Sequence, residues 1–158
     1  MNQGAVSSRY AKAFLSLVQE TGRGEQVFTQ VRALLKDASS APKPLEHDIE
    51  RLVLLLRRNN RLDCLKFVLH DFVRLWCDAE GIIIATLVTA VPSPGLSSQL
   101  EKLLAERTGK RVIMESKVDR DLLGGFVLEL ENETLDASVR RQIDDIRRQL
   151  VQKNNRII

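Results

Sequence analysis

No stretch of 18 apolar residues occurs in the chain. The longest near-continuous run, Gly81 to Pro92, is too short to cross a bilayer as a helix. The opening residues, MNQGAVSSRYAKAF, lack a charged segment followed by an apolar one, which disfavours export by a cleaved signal, and an Arg-rich, acid-poor transit segment is also missing. Cysteine is scarce: Cys64 and Cys77 stand 13 residues apart, neither in a Cys-x-x-Cys pair, and His47 and His70 fall at no zinc spacing. Both thiols are therefore expected in the core, and no metal is expected. An excess of one charge is lacking too. The chain holds 24 Lys and Arg against 21 Asp and Glu, a net +3. The first 80 residues carry 12 basic and 10 acidic groups and the rest 12 and 11, so neither half is a basic arm. Phosphate-driven nucleic-acid binding needs a clustered basic face. The densest basic segment, Arg140 to Arg156, has six Lys and Arg diluted by Asp144 and Asp145. What is present is ordinary: 44% apolar and 28% charged residues exclude extended disorder and fibrous repeats. A length of 158 residues suits one domain or two small ones. An intracellular chain without membrane insertion is expected.

The first half reads as helical throughout. Ser7 or Ser8 is expected to cap a helix running to about Thr21, stopped by Gly22 and Gly24. Its apolar residues form two adjoining stripes, Tyr10, Phe14, Leu17 with Val18 and Ala11, Leu15 with Val18, wider than one buried face requires. A second helix covers about Glu25 to Ala38, and Ser39 to Pro44 reads as a loop. A third run, Leu45 to Asn59, carries Ile49, Leu52, Val53 and Leu56 and ends in Arg57, Arg58, Asn59 and Asn60, which suits a left-handed helix terminus. A fourth, Leu62 to Ala79, sets Leu65, Val68, Leu69, Phe72, Val73 and Trp76 on one broad face.

At Gly81 the period changes. Ile82 to Val91 is β-branched without helical rhythm and reads as a buried strand closed by Pro92 and Pro94. Ser97 or Ser98 then starts a helix ended by Gly109. Val112 to Val118 and Phe126 to Leu130 alternate as strands, Val112, Met114 and Val118 facing one way. Glu131, Asn132 and Glu133 read as a turn, and Asp136 or Ser138 as the cap of a last helix bearing Val139, Ile143, Ile146 and Leu150. The class is α+β, an all-α bundle over residues 1–80 followed by a small β-α-β-β-α domain over 81–158.

The search for chemistry returns nothing. Gly109-Lys110 is followed by Arg111, with Leu104 where a P-loop has its first glycine. Neither His-Glu-x-x-His nor Gly-x-Ser-x-Gly occurs. Asp119 and Asp121 read as turn carboxylates, Asp144 and Asp145 face different ways on a helix, and His70 reads as a half-buried core residue. No catalytic residue, cofactor or metal is expected. The wide first helix and the amphipathic last one suit helix-in-groove contacts with partner proteins, although a small bundle could use both stripes internally.

Several segments resemble one family. Arg9-Tyr10-Ala11-Lys12-Ala13-Phe14 is similar to the opening of the delta subunit of bacterial F-type ATP synthases, the oligomycin-sensitivity-conferring protein family. Leu56-Arg57-Arg58-Asn59-Asn60-Arg61-Leu62, followed by a helix with Phe72, resembles its mid-chain segment. The most specific match is Val118-Asp119, Leu122-Leu123-Gly124-Gly125-Phe126-Val127, then Leu135-Asp136-Ala137-Ser138-Val139-Arg140 and Leu150, with Val88 to Val91 ahead of Leu96 and Gln99. Members usually run longer, and the shortfall here falls between Asp37 and Glu50. The resemblance implies a non-catalytic stator subunit. Its N-terminal six-helix bundle would grip alpha subunits of the catalytic head, and its C-terminal half would engage subunit b of the peripheral stalk, at the cytoplasmic face of the bacterial inner membrane. On the family pattern the head-binding groove involves the first and fourth-run helices, with Tyr10, Phe14, Leu17, Asn60, Arg61 and Leu62. Gly124, Gly125, Asp136 and Ser138 would be structural, for turn geometry and capping. Val139, Ile143, Ile146 and Leu150 would be either core or stalk contact, which periodicity does not separate. The rival reading from another class is a basic nucleic-acid-binding adaptor using Arg140 to Arg156.

Overall fold

The computed structural model describes residues 3–37, 44–130 and 133–154, with Gln3 and residues 149–154 as backbone alone. The expected loop at Ser39 to Lys43, the turn residues Glu131 and Asn132, and the side chain of Leu150 lie outside what is described. The chain forms two compact units, Met1–Glu80 and Gly81–Ile158.

The first unit holds helices α1 (Gln3–Thr21), α2 (Gly24–Lys36), α3 (His47–Arg58) and α4 (Leu65–Glu80), with a single 3-10 turn at Leu62–Cys64. Among the described residues there are thus four α-helices, not the six that the resemblance implies, because the short link between Lys36 and His47 leaves little chain for more. Its core gathers Phe14 and Val18 of α1, Val27, Phe28 and Val31 of α2, Ile49, Leu52 and Leu56 of α3, and Val68, Phe72 and Trp76 of α4. Phe14 meets Phe72 with ring centroids 4.7 Å apart, and Trp76 lies 6.2 Å from Phe72 and 6.3 Å from Phe28. Gly24, expected to stop α1, instead opens α2, where a Cβ would run into the Trp76 indole. Ser7 does not cap α1. The helix begins a turn earlier, and the buried Ser7 hydroxyl donates to Asp71 Oδ2 at 2.7 Å, tying α1 to α4. At the end of α3, Asn60 takes φ +53°, the Asn60 N–H donates to the Arg57 carbonyl at 3.1 Å, and the Arg61 N–H donates to the Leu56 carbonyl at 2.8 Å. That pattern closes a helix with a left-handed residue.

The second unit contains β1 (Ile82–Thr89), α5 (Pro94–Thr108), β2 (Arg111–Val118), a 3-10 turn at Arg120–Leu122, β3 (Phe126–Glu129), β4 (Thr134–Asp136) and α6 (Val139–Asn154). The sheet order is β2-β1-β3-β4, with β1 parallel to β2 and every other pair antiparallel. One face packs Leu96, Leu100, Leu104 and Ala105 of α5 onto Ala85, Leu87, Val112 and Leu128. Helix α5 starts at Pro94, ahead of the expected Ser97 or Ser98. Proline's fixed φ and missing N–H suit the first helical position, and β1 ends at Thr89, short of the expected Val91. Strand β4 is one more than expected. The α+β class stands, a helical half followed by a mixed half.

Candidate functional site

One apolar helix surface on each unit gathers residues expected at a partner site; the first unit also has an apolar hollow of about 460 Å³ between α2, α3 and α4, lined by Leu34, Leu35, Val53, Leu65 and Leu69, which holds none of them. On the first, α1 and α3 leave two neighbouring hollows of about 280 and 380 Å³ that share Tyr10, Ala13 and Leu55. Leu17 and Leu52 extend the apolar lining, and Arg9, Arg51 and Arg61 stand at the edge. Tyr10 is fixed there: its hydroxyl accepts from Asn59 Nδ2 at 3.0 Å, and the Arg61 guanidinium sits 6.0 Å from the ring centroid. Of the residues expected at a partner site, Tyr10, Leu17 and Arg61 line this groove together. Phe14 forms its floor but belongs to the core through Phe72. Asn60 is exposed and serves to end α3, and Leu62 is exposed on the 3-10 turn outside the lining. The groove runs along α1 and α3 rather than α1 and α4, because α4 meets α1 through the buried Phe14–Phe72 pair. The groove also takes Leu55, 46% exposed, and Arg51, which the sequence reading did not mark. The signal was available: the run Leu52-Val53-Leu54-Leu55-Leu56 holds more apolar residues than one helix face can bury.

On the second unit, every described side chain of α6 from Val139 to Arg148 is exposed. Val139, Ile143 and Ile146 are 38%, 50% and 57% exposed, so within the unit they are surface rather than core. The start of α6 is fixed closely. Ser138 accepts the Arg141 N–H at 3.2 Å, a side-chain cap, and Asp136 Oδ1 accepts the Ser138 N–H at 2.9 Å. The Ser138 hydroxyl, then its N–H, then the Arg141 guanidinium at 4.0 Å, hold the Asp136 carboxyl below the usual carboxylate range. Gly125, at φ +74°, lies so close to Ala137 and Ser138 that a Cβ would strike the Ala137 carbonyl, and the Gly124 carbonyl accepts the Val139 N–H at 3.1 Å. The two glycines thus let the β3 entrance pass against the root of α6.

Several polar groups elsewhere serve the fold. Cys64 and Cys77 are both buried, as expected. Asp119 accepts the Asp121 N–H at 3.0 Å in a turn. His70 is exposed, not half-buried, because α4 turns Val68, Leu69 and Phe72 inward and leaves position 70 outside. Asp48 is fully buried; its Oδ2 accepts from Thr21 at 3.0 Å and pairs with Arg23 at 3.8 Å, joining the α1–α2 turn to α3. Among the described residues no three of His, Cys, Asp and Glu come together as metal ligands.

A helical unit with an open groove, followed by a sheet unit with a bare terminal helix, has the make-up of a subunit that fits into a larger assembly. The family model described as ATP synthase delta (OSCP) subunit matches residues 29–150. The chain belongs to that family. Among its relatives, the ATP synthase subunit delta of Anaeromyxobacter dehalogenans is 31% identical over 96% of this chain and all of the relative. That of Phocaeicola vulgatus is 27% identical over 98% of each, in an alignment of 182 positions that exceeds the 158 residues here. A chain of the Toxoplasma gondii mitochondrial ATP synthase hexamer superposes with a TM-score of 0.66 at 19% identity, covering 92% of this chain and 97% of that one, and shares the fold.

Proposed function

We propose that this delta-family chain is a non-catalytic stator subunit of a proton-translocating F-type ATP synthase. It links alpha subunits of the catalytic head to subunit b of the peripheral stalk, so that rotor torque drives ATP synthesis. The α1–α3 groove takes the head and α6 takes the stalk, at the cytoplasmic face of the bacterial inner membrane and peripheral to it. Among the described residues no helix is long and apolar enough to cross a membrane. The observation that carries the reading is the pair of bare apolar helix surfaces on two separate units of a chain from this family.

Magnitudes set what each joint requires. Lasting attachment calls for nanomolar affinity, about −12 kcal/mol. A docked helix burying four apolar side chains gains roughly 6–12 kcal/mol gross, before association costs of several kcal/mol. One docked helix is therefore marginal, and because joints to two different partners act in series, each needs contacts beyond its apolar stripe. The test is a pair of surface substitutions. Leu55→Asp should weaken binding to a peptide from the alpha N-terminal segment and leave binding to subunit b intact, and Ile143→Asp should do the reverse, both read by calorimetry. If neither variant loses a partner, or either loses both while still folded, the division of labour fails.

A further inference from the structure

Val139, Ile143 and Ile146 are separated by four and then three residues, one seven-residue repeat, a spacing that a coiled-coil seam shares with a face bedded on a core; their exposure is what leaves them open to a partner. At 3.6 residues per turn the three cover only about 60° of the helix circumference. Arg140 and Arg147, seven residues apart, both fall on one flank, within about 90° of the seam centre, and Gln142 falls on the other. Asp144, Asp145, Arg141 and Arg148 lie further round. All these side chains are exposed. Between Val139 and Arg148 the seam is narrow, uncovered, and basic along one side only, and Lys153, seven residues on from Ile146, breaks the apolar series in the sequence.

We propose that α6 pairs side by side with a single partner helix that carries apolar residues at the same alternating spacing and acidic residues at every seventh position, along the flank facing Arg140 and Arg147. A second copy of this chain offers no such complement. Antiparallel α6 helices set the arginine flank against itself, and parallel ones set it against the glutamine flank. The inference rests on the stalk-binding reading of α6 and adds to it the chemistry and register of the occupant.

The probes are two synthetic four-heptad peptides with Leu and Ile on the seam and either Glu or Lys at all flanking positions, titrated into the full chain by calorimetry. The Glu peptide should bind roughly tenfold tighter at low salt, with the difference shrinking as salt screens the flank. Arg140→Glu with Arg147→Glu should reverse the preference, and Arg140→Gln with Arg147→Gln should abolish it. These sites are fully on the surface, and circular dichroism confirms that each variant stays folded. Equal affinity for both peptides, an unchanged preference in the reversed variant, or self-association through α6 in sedimentation overturns the proposal. The same variants are then offered subunit b. If b binds parent and reversed chains alike, the charge rule is wrong and the stalk reading survives. If the Glu peptide binds and b does not, the rule stands and the stalk reading falls.

Discussion

A single turn of α1 sets two apolar neighbours in opposite roles. Phe14 and Leu17 stand three residues apart and read alike in the sequence, yet Phe14 is sealed against Phe72 while Leu17 stays partly open in the groove. Facing them on α3, Leu52 is buried and Leu55 is half open. The sum of these four positions decides whether a substitution is felt by the fold or by a partner. Phe14→Ala removes a ring from a closed core and should destabilise by about 3–5 kcal/mol, whereas Leu55→Ala should stay within about 0.5 kcal/mol of the parent. Urea unfolding of the two variants measures both. A small loss at Phe14 would mean that its ring is not core at all. For the same reason Phe14 is a poor position at which to probe partner binding, although its place in the first helix stripe had marked it as one.

At the scale of elements, periodicity made the helices and long strands legible, and local physical conflicts hid the rest. The break from helical rhythm at Gly81 is followed at once by β1, and the alternation of Phe126, Leu128 and Leu130 is the face that packs under α5. Strand β4 was hidden because three residues are too few to show an alternation. The start of α1 was misplaced because two serines look like caps, while burial against Asp71 gave Ser7 another partner. Whether the α6 stripe was core or surface could not be read from spacing, since the same period serves both; it took the exposure of all described positions to decide. The cap of α6 was legible, and it carries a prediction. Ser138→Ala should cost about 1 kcal/mol through the lost cap. It should also let the Asp136 pKa climb back toward the ordinary carboxylate range, because the Ser138 hydroxyl is the leading cause of its depression. The sign follows from linkage: a carboxyl lowered in the folded state stabilises fully above the unfolded pKa and loses that contribution as pH falls through the folded one. The gap between parent and variant should therefore be widest near neutrality and narrow in acid. An NMR titration of Asp136 that shows no change in the variant would remove the hydroxyl from this role.

For the whole molecule, the question is whether the two units act as independent joints on one tether. Residues Met1–Glu80 form a compact unit with their own aromatic core, and the groove residues all belong to it. Deleting residues 81–158 should then leave the affinity for an alpha N-terminal peptide unchanged, because no groove contact is lost, and should abolish attachment to the stalk. The consequence for assembly is larger than either result. The two joints hold different partners and so act in series: head and stalk stay together only while both joints and the chain between them are intact. Cutting the chain between the units should accordingly abolish the link between head and stalk, even with each isolated contact intact. Retention of labelled head on immobilised stalk, compared between the full chain and a mixture of the two separate units, measures this. Equal retention would show that the covalent link between the units is not what joins head to stalk. A truncated first unit that folds cooperatively yet ignores the alpha peptide would show that the groove is not the joint.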